Sequence, residues 1–261
     1  MLLPRRPERA PALEMAIAPG RLALARGGSE LRRLAPASPD PAELGSLAAR
    51  LAASESTRPI RIVLEGGLAR LFLLPWLDAL SSESRWRNYA ASRFEQTFGE
   101  SLEAWDLQFA SDWPGRDRLA AAWPAPLRTA LAACSNVRSV RLAVLEHLGA
   151  LLAREPAFSG CLGEVGSGGA TLLLLVRGRV LRARWRRAGD TAALGAALRS
   201  EWAAAVDRAG AQGGRGLGPA LALVPTEGAF GPEAEAASEV LAEAIGATRT
   251  LRLTAMPGAP A

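Results

Sequence analysis

The sequence predicts an α/β fold built twice over, with a small α+β insertion in its first half. Three observations predict it. Gly160 to Asp190 reads as a strand, a glycine turn and a tight hairpin of two more strands. Behind it, helical and apolar stretches alternate as helix, strand, helix, strand. Leu13 to Leu64 runs through the same opening order, three strands, helix, strand, with unrelated residues. Strands interleaved with amphipathic helices are the signature of a mixed sheet covered by helices.

Taken in order, residues 1–12 are rich in proline and arginine and read as a flexible tail. Leu13–Ala18 and Arg21–Arg26 are short strands around Pro19-Gly20, a hairpin signal, and Gly27-Gly28 leads into a third strand at Glu30–Leu34. Asp40 is an N-cap followed by proline at the first helical position, and Leu44, Leu47, Ala48 and Leu51 form the apolar stripe of that helix. Ile60–Leu64 is a buried strand. The next stretch, 68–136, interrupts the repeat and reads as the insertion. It holds a strand over Leu68–Leu74 that Pro75 stops, and a helix capped by Ser81 or Ser82 that ends at Gly99. Two further strands follow, Ala104–Ala110 and Arg118–Trp123, joined by Asp112-Trp113-Pro114-Gly115. Pro126–Ala133 is helical, Val137–Leu142 is a strand that rejoins the first sheet, and Glu146–Arg154 is a linking helix.

In the second half, Leu172–Val176 is a continuous apolar run of strand length, and Arg177-Gly178 supplies the turn. Val180–Arg187 alternates, with Arg182, Arg184 and Arg186 on one face and Leu181, Ala183 and Trp185 on the other. A helix at Thr191–Ala209, a strand at Ala220–Val224, a helix at Glu233–Ile245 and a strand at Thr248–Leu253 complete the order.

Composition narrows the function classes. The 261 residues are 49% hydrophobic and 22% charged, which suits a globular chain with a substantial core. The net charge of +5 suggests an anionic partner, but all 31 basic residues are arginine and 26 acids are interspersed among them. Arginine without lysine, beside abundant alanine, leucine, glycine and proline, is what GC-rich coding produces, so nucleic acid is not the expected partner. Cys134 and Cys161 match no metal-ligand spacing and read as small buried hydrophobes. No stretch has the roughly 18 apolar residues of a spanning helix, and none has the apolar core of a signal peptide. A cytoplasmic protein is expected, reaching any membrane through a partner.

The element order of each half is that of a ribonuclease-H-like half of the actin-type ATPase fold. With an insertion in its first half, the chain resembles the PilM-type pilus-assembly proteins and the cytoplasmic domain of the type II secretion L subunit. The likeness rests on Leu73-Leu74-Pro75-Trp76 followed by the Trp86–Phe98 helix, on the loop Glu164-Val165-Gly166-Ser167-Gly168-Gly169, and on Val224 to Gly231. It implies a first lobe at 13–154, including the insertion 68–136, and a second at 155–261. It also implies a non-catalytic scaffold that binds an inner-membrane partner of a pilus or secretion assembly. Nucleotide-binding members of the superfamily carry an Asp-x-Gly turn in the first hairpin, where the acid helps hold hydrated magnesium. Here the turn is Ala18-Pro19-Gly20, with no acid and one N–H fewer. The resemblance places Glu164 where the second aspartate is expected and Glu227-Gly228-Ala229 at the adenosine loop. The residual nucleotide contacts it implies are Glu164, Gly166, Ser167, Gly168, Gly169 and Gly228, with ATP and magnesium as the only candidate cofactor and no ATP hydrolysis expected. The alternative is a nucleotide-dependent ATPase or kinase of the same superfamily.

Other features have bland and functional readings. Trp86, Ala90, Phe94 and Phe98 recur every four residues, an aromatic face that reads first as core packing. Its functional alternative is a partner-docking surface of Arg85, Trp86, Tyr89, Arg93 and Phe94, residue types favoured at interfaces. The arginine row at 182–186 reads as a solvated face on an outer strand. His147, the only histidine, has no nucleophile at a suggestive spacing. A ribonuclease-type metal enzyme needs three or four acids on strand ends, and the first sheet offers only Glu14 and Glu65.

Overall fold

The computed structural model describes residues 13–27, 29–65, 67–109, 115–166, 169–186, 199–200, 203–204, 220–225 and 249–252. The first sheet begins with three antiparallel strands, β1 (Leu13–Ala18), β2 (Arg21–Arg26) and β3 (Ser29–Leu34). Helix α1 (Pro41–Ser54) follows, with the Asp40 carboxylate accepting from the Ala42 N–H and Pro41 opening the helix. Strands β4 (Ile60–Leu64) and β8 (Val137–Leu142) add in parallel beyond β1, giving the order β3-β2-β1-β4-β8.

The second sheet is built the same way. Strands β9 (Gly160–Gly166), β10 (Gly169–Val176) and β11 (Arg179–Arg186) are antiparallel, and β12 (Ala220–Pro225) and β13 (Arg249–Arg252) add in parallel to β9, giving β11-β10-β9-β12-β13. Between β11 and β12, residues 199–200 and 203–204 are helical, inside the helix expected at 191–209. The remainder of that helix, and the one expected at 233–245, lie outside the described residues.

The repeat extends to pairing register. Ala18 pairs with Arg21 and Gly166 with Gly169, so each first hairpin closes on a two-residue turn. Leu13–Ile17 pair with Ile60–Leu64, and Cys161–Val165 pair with Leu221–Pro225. Counted back from the hairpin turn, these two ladders coincide residue for residue.

A three-stranded antiparallel sheet, β5 (Arg70–Leu74), β7 (Arg118–Pro124) and β6 (Trp105–Phe109), interrupts the first half between β4 and β8 in the order β5-β7-β6. Helix α2 (Glu83–Phe98) covers one face. Ser82 caps it, its hydroxyl accepting from the Arg85 N–H, and Gly99 ends it in the left-handed conformation. Phe72, Leu74, Trp86, Ala90, Phe94, Leu107, Ala120 and Ala122 form the core beneath it. Helix α3 (Ala125–Ala132) lies within the stretch expected as an insertion, yet packs on α1. Leu127 and Leu131 join Leu44, Ala48, Leu51, Ile60 and Ile62 in the core of the first sheet. Asn136 fastens this corner: its buried amide donates to the carbonyls of Ala52, Glu55 and Arg58, tying β8's approach to the end of α1 and the turn after it.

Helix α4 (Ala143–Arg154) follows β8 directly, three residues earlier than the sequence suggests. Its Val144 and Leu151, with partly buried Leu145, Leu148 and Leu152, pack against Leu162, Leu173, Leu175 and Ala183 of the second sheet and Leu71 of the insertion. β5 also runs beside β11, so the arginine-bearing strand is not an open outer edge. There the Arg70 guanidinium stacks 3.5 Å from the Trp185 ring and 4.8 Å from Trp105, joining the insertion to the second sheet.

Candidate functional site

The two hairpin turns define the region where the resemblance places a nucleotide. In the first, Pro19-Gly20 forms the turn, and Arg21 opens β2. Arg21 Nη2 donates to Glu65 Oε2 at 2.5 Å, with both side chains largely buried. Glu65 follows the last residue of β4, and its N–H donates to the Ile17 carbonyl. One carboxylate near the turn is therefore neutralised by a guanidinium from the same turn. The second Arg21 terminal nitrogen, Nη1, is buried without a hydrogen-bond partner.

In the second hairpin, the register puts Gly166 at the counterpart of Ala18, and Gly169 at that of Arg21. Glu164 lies two residues earlier, at the counterpart of Ala16, and pairs with Thr171 on β10 and Val224 on β12. It is 3% exposed, inside the sheet. Glu164 thus lies two residues before the strand end at Gly166, and neither Ala18 nor Gly166 is an acid. Gly166 and Gly169 are paired strand residues, while Ser167, Gly168 and Gly228 lie outside the described residues. Hydrated magnesium needs an acid at a strand end. Ala18 and Gly166 supply none, and Glu65 is engaged by Arg21, so the described residues around the two turns do not fit that ion. Among the described residues no three of His, Cys, Asp and Glu converge as a metal site.

The face of the first sheet opposite α1 is ionic instead. Arg141 Nη1 donates to Glu146 Oε1 at 2.8 Å, and Glu14 and Arg61 are adjacent across β1 and β4. Loss of water around its carboxyl, then the charge of Glu146, raises the Glu14 pKa above its ordinary value, against the pull of Arg61 and Arg141. His147 donates from Nδ1 to the Ala143 carbonyl at 2.6 Å, and its Nε2 is buried without a partner. Burial lowers its pKa. Among the described residues no serine or cysteine hydrogen-bonds it.

The proposed docking residues separate on folding. Trp86, 3% exposed, and Phe94, fully buried, belong to the insertion core. Arg85 is exposed, Tyr89 is partly buried against Trp86 with ring centroids 6.0 Å apart, and Arg93 donates to Gln96. The helix is a packing element, as its aromatic periodicity suggests.

Sequence reasoning missed a groove on the other side of the insertion. It has a volume of about 540 Å³ and lies between β5–β7 and the ends of β4, β8 and α4. Leu64, Leu71, Leu119, Val140 and Leu145 make its walls, and Arg141 with Glu146 sits at its rim. No local pattern marks it, because its walls come from residues about 80 apart in the chain.

No protein-family model matches the chain, and no curated protein matches it. Among solved structures, a Bacteroides thetaiotaomicron protein described as having an actin-like ATPase fold and unknown function is similar over 97% of this chain and 94% of its own, at 9% identity and TM-score 0.59. A PilM–PilN type IV pilus biogenesis complex is similar over 95% of this chain and 89% of the matched one, at 15% identity and TM-score 0.54. The cytoplasmic domain of the Vibrio cholerae type II secretion component EpsL aligns over 82% of each chain at 11% identity and TM-score 0.43, a likeness too slight to build on. Two sheets of one topology and register, an insertion between the fourth and fifth strands of the first, and the first two of these matches agree: the chain has the actin-like ATPase fold.

Proposed function

We propose that the protein is a non-catalytic scaffold that docks an inner-membrane partner of a pilus or secretion assembly through its insertion, at the cytoplasmic face of the membrane. The observation that carries this reading is the apolar groove between the first sheet and the insertion, with an ion pair at its rim. A narrow apolar trough flanked by charge suits an extended peptide, whose apolar side chains fill it while the rim fixes polarity. The fold shared with a chain solved in a pilus biogenesis complex supports the assembly context. The Arg21–Glu65 pair and the acid-free turns support a scaffold over an enzyme. No helix among the described residues is long and apolar enough to cross a membrane, so a membrane-anchored partner supplies the tether. The rival, a nucleotide-dependent ATPase or kinase, draws on the shared fold alone.

A photo-crosslinking residue at Gln108, which lines the groove and is exposed, tests it in the source cell. The expected result is one inner-membrane protein captured from Gln108 and not from Gln96 on the outer surface of α2. Capture of none from Gln108, or magnesium-dependent ATP turnover by the purified chain, overturns it.

A further inference from the structure

We infer that the insertion carries an adjoining subsite, an aromatic-floored pocket in which Arg118 receives a carboxylate of the docked peptide. This rests on the docking reading and adds the chemistry of the partner. The pocket holds about 530 Å³ and is lined by Trp76, Asp78, Leu80, Trp86, Phe109 and Arg118, among others. Phe109 lines both this pocket and the groove, so the two adjoin at that residue.

Arg118 opens β7 and lies over a floor of rings. Its guanidinium carbon is 4.4 Å from the Trp86 centroid, 5.3 Å from Trp76 and 5.9 Å from Phe109. The π faces hold the cation in place without cancelling its charge. Its Nε is buried and unpartnered, and it forms no ion pair with any described residue. The nearby acids are engaged elsewhere. Asp78 Oδ1 accepts from Trp76 Nε1 at 2.7 Å, Asp117 Oδ1 accepts from the Trp76 N–H at 3.1 Å, and Glu83 pairs with Arg87 at 3.0 Å. The terminal N–H groups of a guanidinium held among rings suit a carboxylate, which they take through two parallel hydrogen bonds. Leu80 in the wall, and Leu77 beside it at 41% exposure, provide apolar surface next to that edge.

The occupant is therefore an aspartate or glutamate with an apolar neighbour, continuing from an apolar stretch in the groove. An anionic membrane surface fits less well, because Asp78 and Glu83 line the pocket and an extended sheet of negative charge would meet both.

Selection of a phage-displayed random 12-residue library on the intact chain tests this. The expected peptides share one acid flanked by apolar residues, and a synthetic representative binds. Arg118→Gln, checked for an unchanged circular dichroism spectrum, weakens binding about 10- to 100-fold, the range of a charge-assisted hydrogen bond. Replacing the peptide's acid by its amide weakens binding to the unaltered protein equally, and gives no further loss on Arg118→Gln. The amide measurement decides the matter even where the protein variant fails to fold. Selected peptides that crosslink at Gln108 but bind Arg118→Gln as well as the original chain overturn the carboxylate subsite and leave the groove standing. No selected peptide at either place overturns both. Binding to phosphatidylglycerol vesicles that Arg118→Gln abolishes also overturns it, in favour of lipid.

Discussion

The two five-stranded sheets agree in strand order and in first-hairpin register, and disagree in what each register position carries. Glu14 on β1 and Leu162 on β9 are counterparts. Glu14 stands among Arg61, Arg141 and Glu146 on an ionic face, whereas Leu162 is fully buried among Leu173, Leu175 and Val144. Helix α4 meets both surfaces, sending Glu146 to the first and Val144, Leu148 and Leu151 to the second. A strand ladder constrains backbone partners and leaves side-chain chemistry free, so a duplicated fold can keep its pairing with few residues in common.

The largest effect expected from that contrast is at the counterpart pair itself. Leu162→Ala should lower stability by about 3 kcal/mol through lost burial and the cavity left behind. Glu14→Ala should change it by less than about 0.5 kcal/mol at neutral pH. Urea denaturation of both variants checks this, and comparable losses would break the contrast between an apolar and an ionic face.

The β-turns closing the second hairpins come next. Gly27 and Gly178 both have positive φ, at 57° and 74°. A Cβ at Gly27 meets nothing within 4 Å, whereas one at Gly178 lies 2.1 Å from the Pro156 carbonyl oxygen. Gly27→Ala should cost about 1 kcal/mol, the price of a left-handed residue alone. Gly178→Ala should cost at least twice that, since backbone must also move. Equal melting temperatures for the two would mean that the second hairpin is not seated on residues 156–159.

A smaller, pH-dependent difference follows from Glu14. Its folded pKa is raised, so the native state holds the proton more tightly than the unfolded chain, and stability falls as pH climbs from 4.5 through the raised value. Glu14→Gln removes that loss and should gain on the original chain across the same window, with the gain persisting above it. Leu162, uncharged, has no such slope. Parallel stability–pH curves for the original chain and Glu14→Gln would sink this assignment.

His147 gives the smallest effect. Its folded pKa is lowered from 6.5, so the unfolded chain takes up a proton that the native state refuses. Stability should decline as pH drops below 6.5, and His147→Gln should flatten the curve between pH 7.5 and 5.5. A curve unchanged by the substitution would place His147 in solvent in the folded state.

Much of the local structure was legible in the sequence because its causes are local. The alternation of Leu13–Ala18, the proline-led cap at Asp40, the four-residue aromatic spacing of α2 and Gly99 at its end each specify an element within a few residues. The order of those elements was enough to indicate a duplicated actin-like fold. Long-range pairing decided the rest. It placed Gly166 at the turn-facing position, two residues beyond Glu164, set α3 on α1 as well as against the insertion, and laid β5 beside β11. It also engaged Arg21 with Glu65, 44 residues away, and assembled the groove from strands about 80 residues apart. Periodicity reports which face of a strand is apolar. Which neighbour covers that face, and how far along the ladder each residue falls, depends on contacts that the tertiary structure alone supplies.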